Sequence, residues 1–174
     1  MAGALLHRCE LSPHPSCRDA VVQAVTVEIR RDAQGARLEA TFVDDDARLA
    51  LPEIALDPLR LWEHTCVELF GIGVQGPRYV EWNVSPTGQV ARFEFADYRK
   101  RTRVTFPSSL SVSVERRAAT AVVIAEGVFG LRNMTAGAVT AVVRSGQGSV
   151  AYWALSHPRP EPDFHDPAGF VLPL

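Results

Sequence analysis

The chain lacks a long apolar run. No stretch of its 174 residues approaches the ~18 consecutive apolar residues of a membrane-spanning helix. The opening MAGALLHRCE is broken at His7 and Arg8 before it reaches the length of a signal-peptide core. These absences lead to the expectation of a cytoplasmic protein without a membrane partner. Charge of one sign is also missing. With 18 Lys and Arg against 20 Asp and Glu, the net charge is −2, too little field to hold nucleic acid. Cysteine is scarce, and Cys9, Cys17 and Cys66 match no metal spacing such as CxxC. A Cys9–Cys17 bridge would need an oxidising compartment, and Cys66 in its apolar run reads as a small core residue. A P-loop and a nucleophile elbow are absent, and Gly71-Ile72-Gly73 holds only the first two glycines of a dinucleotide fingerprint, in the wrong context.

An amphipathic helix of any length is missing too; period-two alternation takes its place. Hydrophobic residues at 47% and charged ones at 22% are ordinary for a globular chain, and no linker or repeat divides it, so one domain over 1–174 is expected. The clearest stretch is Tyr79–Phe95. Val80, Trp82 and Val84 alternate with Tyr79, Glu81 and Asn83; then, past Ser85-Pro86-Thr87-Gly88, Ala91, Phe93 and Phe95 alternate with Arg92 and Glu94. This is an antiparallel hairpin, with Pro86 at the second and Gly88 at the fourth position of a type I turn. A second hairpin joins Val21–Arg31 to Arg37–Val43 through Asp32-Ala33-Gln34-Gly35. Further strands are read at Cys66–Ile72, Leu110–Val114, Ala119–Glu126, Ala138–Arg144 and Val150–Leu155. About nine short strands predict an all-β, antiparallel β-sandwich, with jelly-roll connectivity the first choice.

Other segments read as loops. Asp44-Asp45-Asp46 is a solvated turn or, alternatively, a site for a hard cation, without the spacing of an EF-hand. The cations Arg99, Lys100, Arg101 and Arg103 read as a loop after the hairpin or as a landing place for an anionic ligand. From His157 the tail HPRPEPDFHDPAGF is too irregular for a strand, and serves as a strap over the sheet edge or as part of a site.

Three motifs together carry a family resemblance: Trp62 to Phe70 (WEHTCVELF), Tyr79 to Gly88 (YVEWNVSPTG), and Tyr152 to Pro158 (YWALSHP) with Pro162-Asp163-Phe164-His165. Over roughly residues 60 to 170 the chain resembles DOMON-like domains, relatives of family 9 carbohydrate-binding modules, in a bacterial single-domain subgroup. Trp62, Val67, Glu68, Tyr79, Glu81, Asn83, Pro86 and Gly88 fall on the pattern, while Thr65 stands where relatives usually carry Asp. The resemblance implies a jelly-roll sandwich that binds a sugar or a haem without doing chemistry. Haem-binding relatives use a Met and a His as axial ligands; here Met134 is the only internal methionine.

Sugar recognition needs aromatic planes for the pyranose face and polar groups for its hydroxyls, gathered in a concave site. Trp62, Tyr79 and Trp153 are the candidate platforms, and Glu68, Glu81, Asn83, His64, His157 and His165 the candidate polar groups. Trp82 shares its face with Val80 and Val84 and is assigned to the core. The expected partner is a small molecule, with a sugar the first choice, protein docking also open and no cofactor expected. The alternatives are a hydrolase built on the Glu68/Glu81 pair, with Arg92 one candidate partner for those acids in a purely structural network; a zinc site drawing on His64, His157, His165, Asp163 and Asp166; and haem binding.

Overall fold

The turn at Ser85–Gly88 forms as its residues dictate. Gly88 N–H donates to Ser85 O at 3.0 Å, Ser85 N–H donates to Gln89 O at 2.9 Å, and Gly88 takes a φ of 93°. The computed structural model describes residues 3–31, 33, 35–74 and 78–174. The strands are β1 (Ala4–Pro13), β2 (Ala24–Arg31), β3 (Ala36–Val43), β4 (Cys66–Gly73), β5 (Tyr79–Val84) and β6 (Val90–Asp97), then β7 (Lys100–Thr105), β8 (Leu110–Arg117), β9 (Thr120–Gly127), β10 (Met134–Arg144), β11 (Val150–Ala154) and β12 (Leu172–Pro173). The expected count of nine is therefore too low. The three missed strands have physical reasons. Only Cys9 and Leu11 of β1 are fully buried, and its pairing with β2 is irregular between Leu5 and His7, which blurs the alternation. β7 is a charged edge strand, and β12 is two residues long. The turn expected at Asp32–Gly35 includes Asp32 and Gln34, which lie outside the described residues.

All pairings are antiparallel, along one curled path: β7-β6-β5-β4-β10-β11-β1-β2-β3-β9-β8, with β12 on β10. β1 is where the path bends over. It pairs with β2 from Ala4 to Leu11 but with β11 only at Ser12 and Pro13. The two halves then share one apolar cluster: Val27, Ala40 and Val123 from one side meet Leu69, Trp82 and Val139 from the other. Burying these side chains at about 25 cal/mol per Å² of apolar surface is the main favourable contribution to folding.

A second apolar layer lies on the opposite face of β4, β5, β6 and β10. Phe70, Tyr79, Ala91, Phe93, Phe95 and Ala138 pack there with Leu61 and Phe170 from the loops that cover them. Covered on both faces, β4 and β5 are buried almost throughout, which explains the near-continuous apolar run of β4. Loop polar groups are settled by local bonds. Asp44 accepts from the N–H groups of Arg48 and Leu49 at 2.8 and 3.0 Å, as a turn residue does. All three thiols are free.

Candidate functional site

Strand pairing carries the two acids to one face. Glu68 of β4 stands opposite Asn83 of β5, and Phe70 opposite Glu81. Across the hairpin, Glu81 stands opposite Phe93 and Tyr79 opposite Phe95. Above this face opens a cavity of about 710 Å³, within the range of small-molecule sites. Glu68, Glu81, Phe93, Phe95, Val142 and Tyr152 line it from the strands, and Trp62, Pro162, Phe164 and His165 from the loops. Arg99, Lys100 and Arg101 complete the lining. Trp62 sits on a short 3-10 helix, Leu61–Glu63, whose Leu61 is fully buried and fixes it to the sheet. The Trp62 indole is 40% exposed and edge-on to Phe93, with ring centres 5.9 Å apart. An open apolar plane is thus held beside an aromatic floor.

Both acids are buried without a cationic ion pair of their own. Thr140 Oγ1 donates to Glu68 Oε2 at 3.2 Å, and Cys66 Sγ lies 3.7 Å from Oε1. Burial pushes the Glu68 carboxyl up to about 7, against the pull of these two donors. Glu81 is pushed up to about 8, by burial first and by the Glu68 charge second. The two sit on the cross-strand diagonal, which brings the Glu68 charge to bear on Glu81. Asn83, completely buried on the same face, has no hydrogen-bond partner at either amide atom among the described residues; it nonetheless favours the charged form of Glu81. Arg92 does not serve the acids. It pairs with Glu94 and lies over the Trp82 ring on the other face.

A polar chain fixes His165. Arg99 N–H donates to the Tyr79 hydroxyl oxygen at 3.0 Å, leaving the hydroxyl proton for His165 Nδ1 at 2.9 Å. With Nδ1 as acceptor, the imidazole proton belongs on Nε2, which faces Glu81 Oε2 at 3.8 Å. Burial, reinforced by the Arg99 charge, lowers the His165 pKa to about 4. Asp163 ties the tail down: it accepts from Tyr98 Oη at 2.6 Å, Arg99 Nη2 at 2.9 Å and His165 N–H at 3.1 Å. Although burial acts to raise it, these bonds hold the Asp163 carboxyl below the usual range. The tail is therefore both a strap and a wall of the cavity.

Trp62, Glu68, Glu81 and His165 line the cavity together. Tyr79 lies behind them, stacked on Phe95 with ring centres 4.5 Å apart, and orients His165. Trp153 packs in the shared core and donates its indole N–H to Ala20 O at 3.1 Å. His157 lies outside the lining, 2.8 Å from Ser12 O and edge-on to His14. Thr65 is buried: its hydroxyl donates to Ala50 O and accepts from Arg144 N–H. Asp166 is held by Arg159, and no group of three or more His, Cys, Asp or Glu able to hold a metal occurs among the described residues. Met134 lines a separate, smaller cavity with Trp82 and Phe129 and is not part of the lining that holds His165. Phe93, Phe95 and Tyr152 were missed as lining residues. Counting outward from the 85–88 turn places Phe93 beside Glu81, and alternation turns Tyr152 away from the core face of Trp153.

No family model and no curated protein matches the sequence. Among solved structures, the chain is similar to a "putative carbohydrate-binding protein" from Bacteroides uniformis. The TM-score is 0.60 at 15% identity, over 94% of this chain and 84% of that one. At this identity the likeness is one of fold.

Proposed function

We propose that the protein binds a carbohydrate in this cavity without transforming it. The observation that carries the reading is a single concave site where an open indole, an aromatic floor and inward-facing carboxyl and imidazole groups converge. Trp62 stacks on the apolar face of a pyranose, while Glu81, Glu68 and His165 bond its hydroxyls. A protonated carboxyl both donates and accepts, as a hydroxyl does. The fold likeness to the Bacteroides uniformis protein, named for carbohydrate binding, supports the reading. The two halves sharing one core support a β-sandwich. A panel of mono- and disaccharides followed by calorimetry is the test. At least one sugar binds if the reading holds; silence across the panel contradicts it.

A second reading draws on one observation, the two buried carboxyls Glu68 and Glu81 on adjacent strands at the cavity. Glycoside hydrolysis uses one carboxyl as acid and a second as base or nucleophile, and burial raises both of these as it raises a catalytic acid. Release of reducing sugar from glycosides that is abolished in Glu81→Gln would favour hydrolysis, and intact glycosides would favour binding alone.

A further inference from the structure

The geometry points to a negatively charged ligand: a sugar bearing a carboxylate or phosphate, its anionic group held by Lys100 and Arg101 at the cavity. This deepens the carbohydrate reading and rests on it.

β7 is the edge strand of the sheet, and charge on an edge has an ordinary purpose in blocking association with other strands. Arg103 fits that purpose, since it is exposed and outside the cavity lining. Lys100 and Arg101 do not fit it as well. In a regular strand, consecutive side chains point to opposite faces. Here the β6–β7 register shifts twice, between Glu94 and Phe95 and again between Phe95 and Asp97, so that Lys100 pairs with Asp97 and Arg101 with Phe95. Irregularities of this kind re-aim side chains, and both Lys100 and Arg101 line the cavity.

The turn before them adds a second observation. Arg99 has a φ of 53°, in the left-handed region that Gly, Asn or Asp occupies more easily. A larger, charged residue stands at that position, and its backbone and guanidinium both join the site through Tyr79 and Asp163. Arg99 is thereby engaged by an acid. Lys100, Arg101 and Arg103 form no ion pair among the described residues, and of these three only Lys100 and Arg101 line the cavity. Arg101 instead lies over the Phe93 ring at 5.3 Å, held against the floor where its charge also reaches Glu81. Two unpaired cations aimed at a cavity whose floor acids lie deeper make a site for an anion on one end of a polyol.

The test pairs each neutral hexose with its acids: glucose, galactose and mannose against their uronates and 6-phosphates, titrated calorimetrically at low salt. An acidic member binding at least about tenfold tighter than its neutral parent is the expected result, with the preference shrinking as salt is added. The uronate and phosphate arms tell which anionic group the site takes. Lys100→Ala with Arg101→Ala removes the preference, and Arg103→Ala keeps it. Equal affinity for parent and acid, or a preference that survives the double substitution, overturns this inference and leaves the carbohydrate reading standing. Silence from these hexoses and their acids overturns this inference, and silence across the wider mono- and disaccharide panel overturns the carbohydrate reading as well.

Discussion

The Tyr79 hydroxyl, 2.9 Å from His165 Nδ1, decides which nitrogen of that ring faces Glu81. Tyr79 is itself 1% exposed and touches no open space, so its part in the site is to set the state of a neighbour.

The first prediction follows from that pair. Ring nitrogen shifts measured by NMR show His165 as the Nε2–H tautomer in the native protein. Tyr79→Phe leaves Arg99 N–H and His165 Nδ1 without their partner, a loss of about 1–3 kcal/mol of stability, and the ring shifts become those of a mixture. An Nδ1–H signal in the native protein would contradict the polar chain.

Stability against pH carries two opposite slopes. His165 has its folded pKa lowered to about 4, below the ordinary 6.5, so the unfolded chain takes up its proton first and stability falls as pH drops from 6.5 towards 4. Glu68 and Glu81 are raised from 4.5 to about 7 and about 8, so the folded chain holds their protons longer and stability falls as pH rises from 4.5 to about 8. Between 6.5 and 8 the acids act without the histidine. Chemical denaturation across that window should show native stability declining with pH and a flat line for the Glu68→Gln, Glu81→Gln double variant. The same decline in both proteins would dissociate it from these carboxyls.

Asp163 holds the tail over the cavity through Tyr98, Arg99 and the His165 amide. Asp163→Ala should speed hydrogen exchange across residues 159–166 while strands β2, β3 and β9 remain protected as before. Unchanged exchange in the tail would mean that Pro162, Phe164 and Phe170 hold it by packing alone.

Much of the fold is legible where alternation is clean. The β5–β6 hairpin declares itself because Val80, Trp82 and Val84 face one core while a Pro/Gly turn sets the register, and the structure puts all three in the shared core. β7 hides for the opposite reason: an edge strand with bulges and cations has neither apolar alternation nor turn spacing to read. The site divides in the same way. Glu81 and Glu68 stand out as acids inside apolar strands. Which aromatics join them depends on pairing between distant segments, yet Trp62 entering from a loop and Trp153 set between Ala151 and Leu155 already differ in sequence, and they part company in three dimensions. One is open above the floor, and the other is 3% exposed in the core.

That difference gives the central measurement: side-by-side calorimetry of native protein and Trp62→Ala with the tightest sugar from the panel, alongside their unfolding curves. The account predicts binding by the native protein, a loss of about tenfold or more in affinity on removing the exposed indole, and little change in stability. A native protein that binds no sugar, or a Trp62→Ala variant that binds as tightly as native, would contradict a carbohydrate site in this cavity.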